Sequence, residues 1–423
     1  NEGKRPRKQL IYPMVMLLLL ASNSTETVDS PTKLKQIIED YQDHKGYDKE
    51  EYPLGLFTKD YYKSEASYAQ TLLDELAKID ISVLNETDYI SSQLLEFVLR
   101  DKIDFYDYGR YLNPILSDAG FHSDLTYMVK PLVSYEQVKE YLNKLNAIPA
   151  FVDQHIVILR ESIEKGVTQP SVIFKGYEST YNDHIVANFE DSFYYSPFKN
   201  LPETLTKAQQ DSVLKAAELA VSGIVVPQFK KIRDFFEEEY LPETRKTIGI
   251  SEVSDGEKYY QNRIDFYTTS TNFTPDALHE IGLSEVARIR SEMDKIILDL
   301  DFKGSFSDFL EFLRTDERFY AKTPNELLMI ARDMAKRADE QLPRFFKTLP
   351  RKPYGVAPVP DALAPKYTGG RYVGTAKNST EPGYYWVNTY DLPSRTLYTF
   401  PSLTVHEACL LYTSDAADES SGG

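Results

Sequence analysis

From about residue 30 onward, apolar side chains recur at spacings of three and four, the period of helices that bury one face. Val138, Leu142, Leu145 and Ile148 form one such series, opened by the capping pair Ser134 and Gln137. Pro149 is expected to interrupt or kink it, and the series resumes through Ile156 and Leu159 to Gly166. Thr206 and Gln209 open a second long series, with Val213, Leu214, Ala217 and Val221 on one face and Pro227 expected to bend or split the helix. Thr274 and Pro275 supply an N-cap and a first-turn proline for a helix to about Leu300. Thr323, Pro324 and Glu326 repeat the device as a capping box and predict a helix to about Thr348.

The texture changes at Leu349. The stretch Leu349–Asp361 carries Pro350, Pro353, Pro358 and Pro360, too many for a helix or a central strand, and is expected to cross the surface in extended form. Tyr384–Tyr390 follows Pro382 and Gly383, is rich in aromatic and β-branched residues, and reads as a short strand. Pro401 and Ser402 then open a helix bearing Leu403, Val405 and His406. The chain is therefore expected to be mainly α, with a short β segment ahead of a C-terminal helix.

At 423 residues with 42% hydrophobic content, the chain is long enough to bury a large core. Tyr is abundant, 31 against 22 Phe, which suits either a wide polar cleft or helix seams with the hydroxyl at the surface; the seam is the expectation. A net charge of −17 argues against nucleic acid as a partner, because phosphate binding needs a basic stripe. Cys409 is the single cysteine, so disulfides and Cys-based zinc sites are excluded. At the N-terminus, Lys4, Arg5, Arg7 and Lys8 precede the apolar run Met14–Ala21 and then Ser22, Asn23 and Ser24, the order of a secretory signal. That run is too short for a stable membrane span. Residues 1–24 are accordingly read as signal-peptide-like, and the protein as secreted, periplasmic or held in the cell envelope.

The chemistry concentrates in Val405-His406-Glu407-Ala408-Cys409. His-Glu on a helix opens the active site of many zinc peptidases: the His binds metal and the Glu activates the metal-bound water. His406 is the candidate metal ligand and Glu407 the candidate base. No histidine follows His406, and the one-turn position is Leu410, which cannot bind metal. Asn388 and Tyr390, on the expected strand, are candidate contacts to a substrate backbone, with core or edge packing equally open.

These residues carry a resemblance. Pro382-Gly-Tyr-Tyr-Trp-Val-Asn-Thr-Tyr-Asp391 and Leu403-Thr-Val-His-Glu-Ala408 resemble the bacterial domain-of-unknown-function family 885, which is related to gluzincin-type zinc metallopeptidases. Val133–Leu142 with Ala147-Ile-Pro149, Gly256–Tyr260, Leu278–Ile289, Phe319–Pro324, Pro350–Pro353 and Val359-Pro360 extend it in order over about residues 30–408. The resemblance implies a large multi-helix metallopeptidase-like fold, Zn2+ as cofactor of the full-length parent, and a peptide substrate. In the family the His-Glu-Ala motif runs through a variable residue into Pro-Gly-His-His; here Cys409-Leu410-Leu411-Tyr412 stands at that place. The tail 409–423 resembles translated sequencing-adapter read-through, a contaminant of metagenomic assemblies. The expectation is one helical peptidase-like domain over 25–408, incomplete at its C-terminus, followed by a non-native tail. This fragment is expected to be inactive and to bind no zinc tightly. The alternative is a non-catalytic envelope protein that binds peptides or glycans.

Other candidates are weaker. His279-Glu280 has Leu283 near the one-turn position and is assigned to structure. His184 follows Asp183, and we expect a surface turn. His44, His122 and His155 show no constellation. Glu237-Glu238-Glu239 reads as a solvated helix face, since adjacent carboxylates point different ways. The oligomeric state is not legible.

Overall fold

The computed structural model describes residues 29–115, 120–347, 349–361, 364–375 and 382–410. The signal-like segment 1–24, and the tail from 411 onward, lie outside these residues. Helix accounts for 67% of the chain and strand for 5%, so the mainly α class holds. Two compact units divide the chain, residues 1–278 and 279–423.

The first unit opens with α1 (Ser30–Asp43), α2 (Lys59–Leu76) and α3 (Glu86–Asp107), whose N-caps Asp29, Thr58 and Asn85 each accept a backbone N–H. Leu34, Ile37, Ala69, Leu72, Leu95 and Leu99 form the core of these three helices. Next come a single turn, α4 (Phe121–Asp124), and the 30-residue α5 (Tyr135–Glu164). Of the two outcomes expected at Pro149, an interruption or a kink, the interruption does not occur. A mid-helix proline costs about 3 kcal/mol. Leu145, Ile148, Phe151, Val152, Ile156 and Leu159 are all buried on either side of it, and at about 1.5–3 kcal/mol per large side chain they outweigh that cost. Gly166 ends the helix in the left-handed region, at φ 64°.

After the turn α6 (Ser179–Asn182), the capping box Thr206/Gln209 opens α7 (Lys207–Ala220) with both reciprocal bonds present. A π-turn over Val221–Val225 leads into α8 (Val226–Phe235), which starts with Pro227 in its first turn. The wider turn spares the proline the helical bond that it cannot donate, so the helix is bulged rather than broken. Lys207–Glu243 is long and apolar enough by composition to cross a membrane. Its residues Val213, Ala217, Val221, Val225, Phe229, Ile232 and Phe236 instead belong to the core of this unit, against α5. Tyr181, Tyr194 and Tyr240 are fully buried in the same core, and the Tyr194 and Tyr240 hydroxyls lie inside it, where the seam reading expected hydroxyls at the surface. α9 (Gly256–Thr268) completes the unit.

α10 (Pro275–Asp299) starts at the boundary, with Thr274 Oγ1 accepting from the Ala277 amide. Only Ile297 on it is buried. Val286, Ile289, Met293, Ile296 and Leu300, at alternating spacings of three and four, are 41–67% exposed. Such a stripe drives association when nothing covers it. We expect concentration-dependent self-association by sedimentation, and Ile289→Lys with Ile296→Lys should abolish it without lowering the melting temperature. A wild-type chain that stays monomeric at high concentration would refute this.

The second unit continues with α11 (Phe306–Thr315) and α12 (Pro324–Phe345), then β1 (Tyr354–Pro358), β2 (Gly370–Val373), β3 (Gly383–Val387) and α13 (Phe400–Val405). Thr323 caps α12, but the Glu326 carboxylate accepts from Lys322 N rather than from the cap residue. The strand order is β1-β3-β2, with β1 parallel and β2 antiparallel to β3. The proline-rich stretch thus does hold a strand, but an edge strand, where a missing N–H is tolerated. Gly383, Tyr385 and Val387 of β3 alternate inward, and Tyr385 and Val387 join Leu327, Ala331 and Ala335 of α12 and Phe400 in one core.

Candidate functional site

Pro401 lies in the first turn of α13, where the absent N–H leaves no hydrogen bond unmade. The helix then widens into a π-turn, His406–Leu410. Phe400, Thr404, Glu407 and Ala408 fall on one face and are buried. His406 is on another face and exposed, as are Val405 and Leu410. Neighbouring residues on a helix diverge by about 100°, so the imidazole and the carboxylate of this pair serve different surroundings.

Glu407 is 7% exposed, and its Oε2 accepts a 2.7 Å hydrogen bond from the Tyr372 amide. Tyr372 belongs to β2, an edge strand of the sheet. The carboxylate therefore sits where the sheet edge and the His-Glu segment meet. A charge-assisted bond of this length satisfies a polar group that burial would otherwise penalise. Beside it, the Tyr385 hydroxyl is pushed up to about 12, chiefly by burial; the Thr404 hydroxyl opposes the shift and the Glu407 charge adds to it. The Tyr385 and Thr404 hydroxyls are buried without a partner at hydrogen-bonding geometry among the described residues.

Asn388, directly after β3, is fully buried. Its Nδ2 donates to Ala364 O and Tyr367 O, both at 2.9 Å, and its Oδ1 accepts from Tyr390 N at 3.0 Å. The amide is thus engaged by its own chain. Tyr390 is 52% exposed, with its ring available at the surface.

Zinc hydrolysis requires three protein ligands and one open position. Among the described residues, no group of three or more His, Cys, Asp or Glu side chains is placed to share an ion. Around His406 the neighbouring helix positions offer Leu410 and the already engaged Glu407. The described donor set by itself does not fit a zinc centre.

The remaining histidines are more organised than their sequence context suggests. His44 pairs with Glu65 at 2.7 Å and stacks on Tyr68. His184 follows the turn α6, but its ring packs inward on Phe229 and Tyr194, so the surface-turn expectation holds for the backbone and not for the side chain. His122 and His155 are buried among Phe57, Phe121, Phe151, Tyr177 and Phe236. Burial depresses His122 to about 3, with His184 and His155 adding repulsion, and depresses His155 to about 4. One signal was available: His155 occupies the apolar face of α5, three residues after Val152 and four before Leu159. His279 and Glu280 are exposed on α10. Glu237 and Glu238 are exposed, and Glu239 forks onto Arg160 with two 2.7 Å bonds.

This combination defines a mainly helical protein with a three-stranded sheet whose edge meets a His-Glu segment. Residues 42–409 match the family described as "Bacterial protein of unknown function (DUF885)", and the chain belongs to that family. It is similar in fold to the crystal structure of "the putative lipoprotein from Colwellia psychrerythraea", with a TM-score of 0.76 and 20% identity over 90% of this chain and 70% of that one. A "putative lipoprotein of unknown function from Shewanella oneidensis" gives 0.53 and 14%, over 92% and 73%. A search of the curated proteins finds no match.

Proposed function

We propose that this chain carries the opening part of the active centre of a zinc-dependent, peptidase-like hydrolase of the cell envelope, related to the gluzincins. Its substrate class is peptides. Glu407 is assigned as the base and His406 as the first metal ligand. The observation that carries the reading is the 2.7 Å bond between the Glu407 carboxylate and the amide of edge strand β2. A sheet edge is where an extended peptide adds its backbone, and here it has a carboxylate beside it. The likeness to lipoproteins and the basic-then-apolar start of the sequence support an envelope location. The departure from the family motif after Ala408, with its resemblance to adapter read-through, supports an incomplete catalytic set in this chain.

The chain is therefore expected to be inactive on peptides. After dialysis against trace zinc it should retain well under one equivalent by elemental analysis. Stoichiometric zinc lost on His406→Ala would show that the ligand set is complete after all. The second reading, a binder of envelope peptides or glycans without chemistry, is favoured by the exposed imidazole with exposed Leu410 one turn on. The parent gene decides between them. A continuation after Ala408 into Pro-Gly-His-His with a later acidic ligand supports the hydrolase, and its absence supports the binder.

A further inference from the structure

A cavity of about 490 Å³ opens in the first unit, between the segment leading into α4 and the middle of α5. Its size falls within the range of small-molecule sites, about 300–1,000 Å³. Phe57, Tyr62, Phe121 and Phe151 line it with four aromatic rings, and His155 adds a fifth. The rings hold one another: Phe57 meets Phe151 edge-on with centroids 5.3 Å apart, and Phe121 stacks on His155 at 4.6 Å with the planes 8° apart.

The polar part of the lining is biased toward acceptors. His155 Nδ1 donates its proton to Phe151 O at 2.8 Å, which leaves only the bare Nε2 to offer. The Asn113 amide is engaged, with Nδ2 on Val167 O and Oδ1 on the Tyr240 hydroxyl. Asp124 stands exposed at the end of α4 and contributes a carboxylate. Burial raises its carboxyl, and no cation offsets the effect. Aromatic faces carry negative potential and attract ammonium groups, and an unpaired carboxylate beside them adds charge complementarity.

We propose that this cavity is a binding site for a small organic amine with an apolar body, the ammonium at Asp124 and the body among the rings of Phe57, Tyr62, Phe121 and Phe151. The site uses no residue of the His-Glu segment and does not depend on the hydrolase reading. Its charge disfavours anionic ligands, which would meet the Asp124 carboxylate and find, among the described lining side chains, the Tyr62 hydroxyl and the second N–H of Asn113 Nδ2 to donate.

The test is calorimetric titration of the full chain with phenethylamine and, separately, with 3-phenylpropionate, which has a similar ring and the opposite charge. Saturable one-to-one binding of the amine is expected, about tenfold or more tighter than the acid. Asp124→Asn, at an exposed position, should weaken the amine by about tenfold and leave the melt unchanged. Met128→Trp, which fills the cavity from its wall, should abolish binding of the amine. Equal or tighter binding of the acid, an unaffected Asp124→Asn variant, or no saturable binding by the folded wild type would each overturn the proposal.

Discussion

Lowering the pH from 7 to 5 is expected to remove about 4 kcal/mol of folding stability through two buried histidines. His122 and His155 have folded values of about 3 and about 4, against 6.5 when unfolded. Between those limits the unfolded chain holds protons that the folded chain refuses, so stability falls as the pH falls. At pH 5 each group lies about 1.5 units below its unfolded value, which amounts to about 2 kcal/mol apiece. The loss from His155 ends near pH 4 and that from His122 near pH 3, while above about pH 7.5 neither contributes. Paired carboxylates act elsewhere: Glu75, Glu161 and Glu239 are held low in the folded state, so their stabilisation is lost only below about pH 4.5. The interval from 6.5 to 5 therefore belongs to the histidines. Urea midpoints at pH 7, 6 and 5 measure it. His155→Phe, which suits the surrounding rings, should remove about half of the slope; an unchanged midpoint from pH 7 to 5 in the wild type would contradict the account.

That prediction depends on a cluster the sequence does not display. His122, His155 and His184 come from α4, α5 and the turn after α6, and only tertiary folding brings them together. Helix starts were legible for the opposite reason. Ser134, Thr206, Thr274 and Thr323 cap amides within three residues of themselves, so the cause is local. Pro149 does not interrupt α5 because its local penalty is real but smaller than the burial on both sides of it. The strand β3 was read from its aromatic and β-branched content. Its partners were not: β1 is masked by prolines that an edge tolerates, and β2 is four residues containing a glycine and an arginine. The His-Glu pair was visible as adjacent letters. That Glu407 would reach the amide of Tyr372, 35 residues earlier, follows only from the strand order that makes β2 an edge.

Replacing Asn388 by Ala is expected to destabilise the second unit by about 3 kcal/mol, the cost of emptying a buried amide site and of taking their side-chain partner from the Tyr367 carbonyl and the Tyr390 amide, while Ala364 O keeps its bond from the Tyr367 amide. The side chain ties together Ala364, Tyr367 and Tyr390, and its own backbone N–H donates to Gly369 O at 2.9 Å. Those contacts anchor the segment that enters β2, and β2 presents the Tyr372 amide to Glu407. The two features should therefore be coupled. In a double-mutant cycle, Asn388→Ala and Glu407→Gln together should cost less than the sum of the single changes, because loosening β2 already weakens the bond that the glutamine would weaken. Asn388→Asp should do no better than Ala, since it sets a carboxylate against two carbonyl oxygens in a dry site. A substrate-contact role makes the contrary forecast: Asn388→Ala would melt like the wild type, and the cycle would be additive. Thermal melts of the four chains separate the outcomes, and they do so without a substrate, a metal or any measurable activity.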